Sequence, residues 1–250
     1  MFAGSTRVRG LWTPERISTA LWLDAADSST ITLTGGLVSQ WDDKSGNTRH
    51  ATQSSATFRP GYSSGTHLSF DGTNGYLVTS YVLPSTHSVF YVATKGTQTG
   101  IGGSILRPVV EASFSSSLMG SYGARRDPDG SMEFAVGSGR VNPLPTWAVN
   151  EKALSTALYD GTVLNGGKNG LINSTANLTF PTTDAVVWVG GGGAFIERRF
   201  AGNIHEVVIV GSVVSTTTRQ KMEGYLAHKW GLTANLPSNH PFKNYPSRGV

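Results

Sequence analysis

Residues 204–232 read "IHEVVIVGSVVSTTTRQKMEGYLAHKWGL". The first eight are mostly apolar and β-branched, the composition of a buried strand. The period changes after Val214. Ser215 or Thr216 can act as the N-cap of a helix, and Met222, Tyr225, Leu226 and Trp230 then fall on one helical face. Gly231 follows as a left-handed C-cap. Beyond it, "NLPSNHPFKNYP" (235–246) carries Pro237, Pro241 and Pro246, which forbid helix and favour an extended segment. One strand followed by one amphipathic helix is expected near the C-terminus.

Upstream the signals are those of short strands. Apolar or alternating runs recur at 20–25 (ALWLDA), 67–72 (HLSFDG), 75–80 (GYLVTS), 88–94 (SVFYVAT), 131–137 (SMEFAVG), 152–160 (KALSTALYD) and 185–191 (AVVWVGG). Turn pairs separate them: Asp71-Gly72, Asn74-Gly75, Asp129-Gly130, Asp160-Gly161 and Asn165-Gly166. With 31 glycines and no alternation of strands with long helices, the pattern points to an all-β sandwich or barrel.

The bulk numbers narrow the function classes. A chain of 250 residues with 38% hydrophobic residues can bury a sizeable core without staples. There is no cysteine, which excludes disulfide frameworks, thiolate zinc sites and cysteine nucleophiles. The N-terminal stretch lacks the apolar core of a signal peptide, and no run approaches the roughly 20 apolar residues that cross a bilayer. The net charge of +4 is dispersed, without the basic stripe of a nucleic-acid protein. Neither nucleic-acid binding nor membrane insertion is expected.

Five stretches together resemble a known superfamily: "LWLDAADSSTIT" (21–32), "VSQWDDKSGN" (38–47), "LSFDGTNGYL" (68–77), "FAGNIHEVVIVGSVVS" (200–215) and "RQKMEGYLAHKWGLTANLPSNHPF" (219–242). They are similar to the concanavalin A-like lectin/glucanase superfamily, and more narrowly to the laminin-G-like jelly-roll modules of bacteriophage virion proteins and some bacterial surface proteins. The resemblance runs from about Ala20 to Phe242 and is weakest between Gly100 and Val149. It implies a two-sheet antiparallel jelly-roll sandwich with one C-terminal amphipathic helix. The expected organisation is an N-terminal arm (1–19), a jelly-roll domain (20–242) and a C-terminal tail (243–250). In such a fold Trp22, Phe70, Phe90, Trp188 and Ile209 are expected to point into the core.

A shared sandwich does not fix a function, so the residues must. Glycoside hydrolysis needs two carboxyl groups flanking one bond. Laminarinase-type members carry theirs as Glu-x-Asp-x-x-Glu on one strand, a triplet this sequence lacks. Glu133 and Glu206 each stand alone and read as outward-facing polar residues. The polar stretch "WDDKSGNTRH" (41–50) could supply Ser45, His50 and Asp42 or Asp43 for a triad, but no nucleophile elbow surrounds Ser45. It reads as a structural turn.

The remaining candidates are binding residues. Tyr122, Arg125, Arg126 and Asp127 combine an aromatic with planar polar groups and are the candidate glycan set. Asp71 and Asp129 are candidate calcium ligands, with Asp127 beside them, although no stretch clusters acids densely. No other cofactor is expected. Phe2, Arg7, Arg9 and Trp12 mark the N-terminal arm as an assembly arm. The expectation is thus a non-enzymatic bacteriophage virion structural or adhesion protein, a decoration, tail or fibre component. It would work in a multi-copy or homo-oligomeric assembly with other virion proteins and bind a host glycan. The alternatives are a lectin module of a bacterial surface protein and a polysaccharide lyase or hydrolase.

Overall fold

The computed structural model describes residues 10–98, 106–114, 117–125, 131–137, 139–143, 146–179, 185–192 and 198–248; at 106, 113–114, 117–119 and 124–125 it describes the backbone alone. In chain order the strands are β1 (Thr19–Asp24), β2 (Ile31–Thr34), β3 (Leu37–Trp41), β4 (Ala51–Thr52), β5 (Gly61–Ser63), β6 (His67–Asp71), β7 (Leu77–Val82), β8 (His87–Lys95) and β9 (Leu106–Phe114). They continue with β10 (Ser117–Arg125), β11 (Met132–Val136), β12 (Gly139–Val141), β13 (Lys152–Tyr159), β14 (Val163–Lys168), β15 (Leu171–Asn177), β16 (Val186–Val189) and β17 (Ala201–Val210). The helix α1 spans Thr216–Trp230.

These strands form two sheets, and the pairings within them are antiparallel. One follows the order β15-β14-β13-β8-β17-β6-β5, with β1 also on β17. The other follows β12-β11-β10-β9-β16-β7-β4-β3-β2. The long strand β17 pairs with β8 on one side; on the other it meets β6 through Ala201–Ile204 and then β1 through Glu206–Val210. This is the two-sheet β-sandwich that the sequence implied.

The period of two explains the layers. On β17, Val207 and Ile209 enter the core between the sheets, joined there by Phe70, Tyr91, Val110, Tyr122, Phe134 and Val187. Val208 faces the other way and meets Trp22, Phe90, Val92 and Leu154 beneath Met222, Leu226, Ala227 and Trp230 of α1. So α1 covers the outer face of the β17 sheet. Of the five residues expected in the core, Phe70 and Ile209 lie between the sheets, while Trp22 and Phe90 lie under the helix. Trp188 does neither. Its neighbours Val187 and Val189 take the inward positions, which leaves its half-buried ring on the outer face of the β16 sheet.

The helix ends follow from the sequence. The Ser215 hydroxyl accepts the Thr218 N–H at 3.2 Å, and Gly231 takes the left-handed conformation at φ 72°. Among the described residues no helix is long and apolar enough to cross a membrane.

Trp12 corrects the reading of the N-terminal arm. Its side chain is 4% exposed and packs edge-on against Tyr225 at 6.3 Å, within the layer under α1. Its N–H donates to Ser247 O, and Leu11 bridges to Arg248. The indole is buried by this chain and not by a neighbour, because the helix leaves an apolar flank that only a large ring fills. Phe2, Arg7 and Arg9 lie outside the described residues.

Candidate functional site

The segment 41–50 is a cover for a strand edge. β1 pairs with β17 on one side only, so its other side presents unpaired backbone groups. Asp43 answers first: Oδ1 accepts the N–H groups of Trp22 and Ser45, each at 2.9 Å. Its Oδ2 accepts the Ser45 hydroxyl at 2.8 Å and the Arg49 N–H at 3.1 Å. The Lys44 N–H donates to Trp22 O, Asn47 Nδ2 to Thr19 O at 3.0 Å, and Arg49 Nη1 to Ala20 O at 2.8 Å. Ser45 therefore gives its hydroxyl to a saturated carboxylate. His50 turns instead to the Asp43 N–H and to Asp42 Oδ1, 3.2 Å away. No relay joins serine to histidine.

The same segment is one wall of an open groove of about 630 Å³, whose other walls come from the start of β1, the end of β7 and the chain after β17. Ser45, Asn47, Arg49, Tyr81, Pro84, Gly211 and Ser212 line it, with Ile17 to Ala20 and Val82. The Arg49 guanidinium lies over the Tyr81 ring, 4.4 Å from its centroid, a cation–π contact. Arg49 is the one charged residue among those lining the groove. An added Cβ at Gly211 would come 3.2 Å from the Tyr81 hydroxyl, so this glycine leaves room in front of that group.

Glu206 and Glu133, expected to face outward, do lie on the outer faces of their sheets, yet both are buried, at 0% and 2% exposure. Glu206 accepts the indole N–H groups of Trp22 (2.7 Å) and Trp230 (2.6 Å) and the Tyr225 hydroxyl (3.0 Å). Its register partner across the β1–β17 pair is Asp24. Lys229 lies 2.6 Å from Asp24 Oδ1 and 2.8 Å from Glu206 Oε2, and Lys44 holds Asp24 Oδ2 at 3.1 Å. Burial pushes the Glu206 carboxyl up, with the Lys229 charge opposing. These two carboxyl groups meet at the Lys229 ammonium and not in an open cleft, an arrangement that clamps the helix to the sheet.

Two further buried acids lie on the outer face of the β16 sheet. Met132, Phe134 and Val136 point into the core, which puts Glu133 on the other face of β11. Arg140 holds it at 2.7 Å. Two strands away Glu111, also buried, accepts the Ser121 hydroxyl at 3.0 Å. Glu111 pairs in register with Trp188, whose ring lies 5.1 Å from that of Tyr76; Arg199 lies over Tyr76 at 4.4 Å.

The structure redistributes the residues expected to bind ligands. Tyr122 is not on a surface loop: it lies in β10 with its ring fully buried, and its hydroxyl donates to His87 Nε2. Alternation on β10 sends Ser121 outward and Tyr122 into the core. The Arg125 side chain and residues Arg126, Asp127 and Asp129 lie outside the described residues. Asp71 closes a turn, its Oδ1 accepting the N–H groups of Thr73, Asn74 and Gly75 at 2.8, 2.9 and 3.2 Å. Among the described residues no group of three or more His, Asp or Glu side chains is placed to hold a metal ion. Sequence reasoning missed Arg49 and Tyr81 as neighbours, since only the packing of β7 beside the 41–50 segment brings them together.

No family model and no curated protein matches the chain. Solved structures do. The chain is similar to Trypanosoma rangeli sialidase in complex with sialic acid, with TM-score 0.58 and 12% identity over 80% of this chain and 32% of the sialidase. It is also similar to domain 4 of a GH43 extracellular arabinanase from Geobacillus stearothermophilus in complex with arabinotriose, with TM-score 0.52 and 12% identity over 80% of this chain and 95% of that domain. The chain thus spans about a third of the sialidase's length. At such identities the likeness is one of fold, a jelly-roll-like β-sandwich.

Proposed function

We propose that this chain is a non-catalytic glycan-binding module that works by adhesion. The groove beside segment 41–50 carries the reading: hydroxyl, amide and guanidinium groups gather over a tyrosine, with no carboxylate among the lining residues. Such a set can satisfy sugar hydroxyls, and lacks the paired acids that glycosidic cleavage demands. The two solved neighbours, each determined with a saccharide bound, support the same direction.

A glycan array probed with the whole chain tests this reading. Retention of a defined set of oligosaccharides, weakened by Asn47→Ala, is the expected result. Absence of binding to every glycan would overturn it. Release of reducing ends from a polysaccharide, lost in Glu133→Gln or Glu206→Gln, would replace it with an enzyme.

The sequence resemblance to virion modules extends the proposal to its setting, a bacteriophage particle that presents the module in several copies. Recovery of the chain in purified particles supports that setting, and its absence from them removes it.

A further inference from the structure

We infer that the groove selects glycans bearing a carboxylate, with Arg49 as the residue that grips it. This rests on the glycan-binding reading and adds the class of sugar.

Charge comes first. Twelve residues line the groove, and Arg49 alone among them carries a formal charge. The acids nearest in sequence are already engaged. Asp43 has both oxygens filled by four donors, and Asp42 Oδ1 accepts Gln40 Nε2 at 2.7 Å and lies 3.2 Å from His50 Nδ1. Among the described residues the guanidinium has no carboxylate partner. An arginine without one, beside a groove of this size, favours an anion supplied from outside.

Geometry comes second. Arg49 is fixed twice, by Nη1 donating to Ala20 O at 2.8 Å and by its stack on Tyr81. Its remaining side-chain N–H groups take no partner among the described residues. A guanidinium held by one nitrogen and one face keeps a planar pair of donors for a planar acceptor, the bidentate arrangement that matches a carboxylate. Its conformational entropy is already lost in the free protein, so gripping the ligand costs less ordering. Asn47 directs its amide nitrogen to Thr19 O and Ala20 O, which leaves its carbonyl oxygen as an acceptor for a sugar hydroxyl. The Tyr81 hydroxyl, kept clear by Gly211, is a further donor.

Calorimetry on the full chain tests the inference, with an oligogalacturonide, its methyl ester and a neutral oligosaccharide of equal length as probes. The acid should bind about tenfold or more tightly than its ester, and its affinity should fall as salt rises from about 50 to about 500 mM. Arg49→Gln should abolish the preference, and Arg49→Lys should keep the salt dependence with weaker binding. Asn47→Ala should weaken acid and ester alike. Thermal melts of each variant show whether the fold is intact. Equal affinity for acid and ester would overturn the acid preference and leave glycan binding standing. A preference that survives Arg49→Gln would overturn the role of Arg49. Absence of binding to all three probes, together with a blank glycan array, would overturn both readings.

Discussion

Asp24 and Glu206 sit opposite each other across the β1–β17 pair and share the ammonium of Lys229, 2.6 Å from one and 2.8 Å from the other. Both acids are buried, and Glu206 further draws on two indoles and a phenol. The helix is thereby tied to the sheet through charge as well as apolar contact.

Replacing Lys229 with Met should therefore cost more than removing a surface ion pair. It leaves the buried Glu206 without its cation and Asp24 with Lys44 alone, a loss of about 3–5 kcal/mol. Urea unfolding measures it. A loss under about 1 kcal/mol, the value of an exposed pair, would show that the cluster is solvated.

Acid should destabilise the fold early. Burial holds His87 and His205 neutral, with their pKa values lowered to about 4. Each uses both ring nitrogens in that form: Nδ1 meets a backbone carbonyl (Pro84 or Thr66), and Nε2 meets a hydroxyl (Tyr122 or Thr94). In the unfolded chain they titrate near pH 6.5, so between about pH 6.5 and about pH 4 the unfolded state binds the extra protons and stability falls as pH falls. Each costs on the order of 3 kcal/mol of stability across that window as pH falls. Thermal melts at successive pH values should show it, with a shallower slope in His205→Gln. Asp27, held at about 2 chiefly by Lys44, adds a separate loss only below about pH 4.

Gly231→Ala isolates a backbone cost. An added Cβ meets nothing within 4 Å, yet φ is +72°, so the destabilisation of about 1 kcal/mol is conformational alone. Ser215→Ala at the opposite end of the helix should cost about the same, through an unsatisfied Thr218 N–H. Chemical denaturation of both variants reads these values.

Gly211→Val should close the groove without unfolding the sandwich, because its Cβ would crowd the Tyr81 hydroxyl from 3.2 Å. Loss of glycan retention with an unchanged melting temperature is the expected outcome. Unchanged retention would place the ligand elsewhere.

Asp43→Ala removes the acceptor of four donors, three of them the backbone N–H groups of Trp22, Ser45 and Arg49. The expected loss is about 2–4 kcal/mol. Light scattering should also show self-association, since the margin of β1 would then be open to another chain.

The sequence made the strand at 201–210 and the helix legible because β-branched residues and two caps agree there. Elsewhere its signals conflicted. Asn165-Gly166 has the composition of a turn, but both residues lie within β14. Gly166 is small because an added Cβ would fall 2.9 Å from the Phe134 ring. Strands β9 and β10 carry Pro108 and glycines at 120 and 123, residues that argue against a strand. The Pro108 region coincides with an irregular register, where Gly123 lets the Arg107 carbonyl approach closely. The turn at 41–50 was readable as a turn. Its work as an edge cover and groove wall was not, because its partners on β1 and β7 are remote in sequence.

The segment that seals β1 and the wall proposed to meet a ligand are one piece of chain. A tug on a bound saccharide through Arg49 passes straight to the Ala20 carbonyl and into the hydrogen-bonded sheet, with no hinge between. An anchor built in this way yields little before it lets go. Its strength under flow would then come from the number of copies engaged and not from the give of any single one.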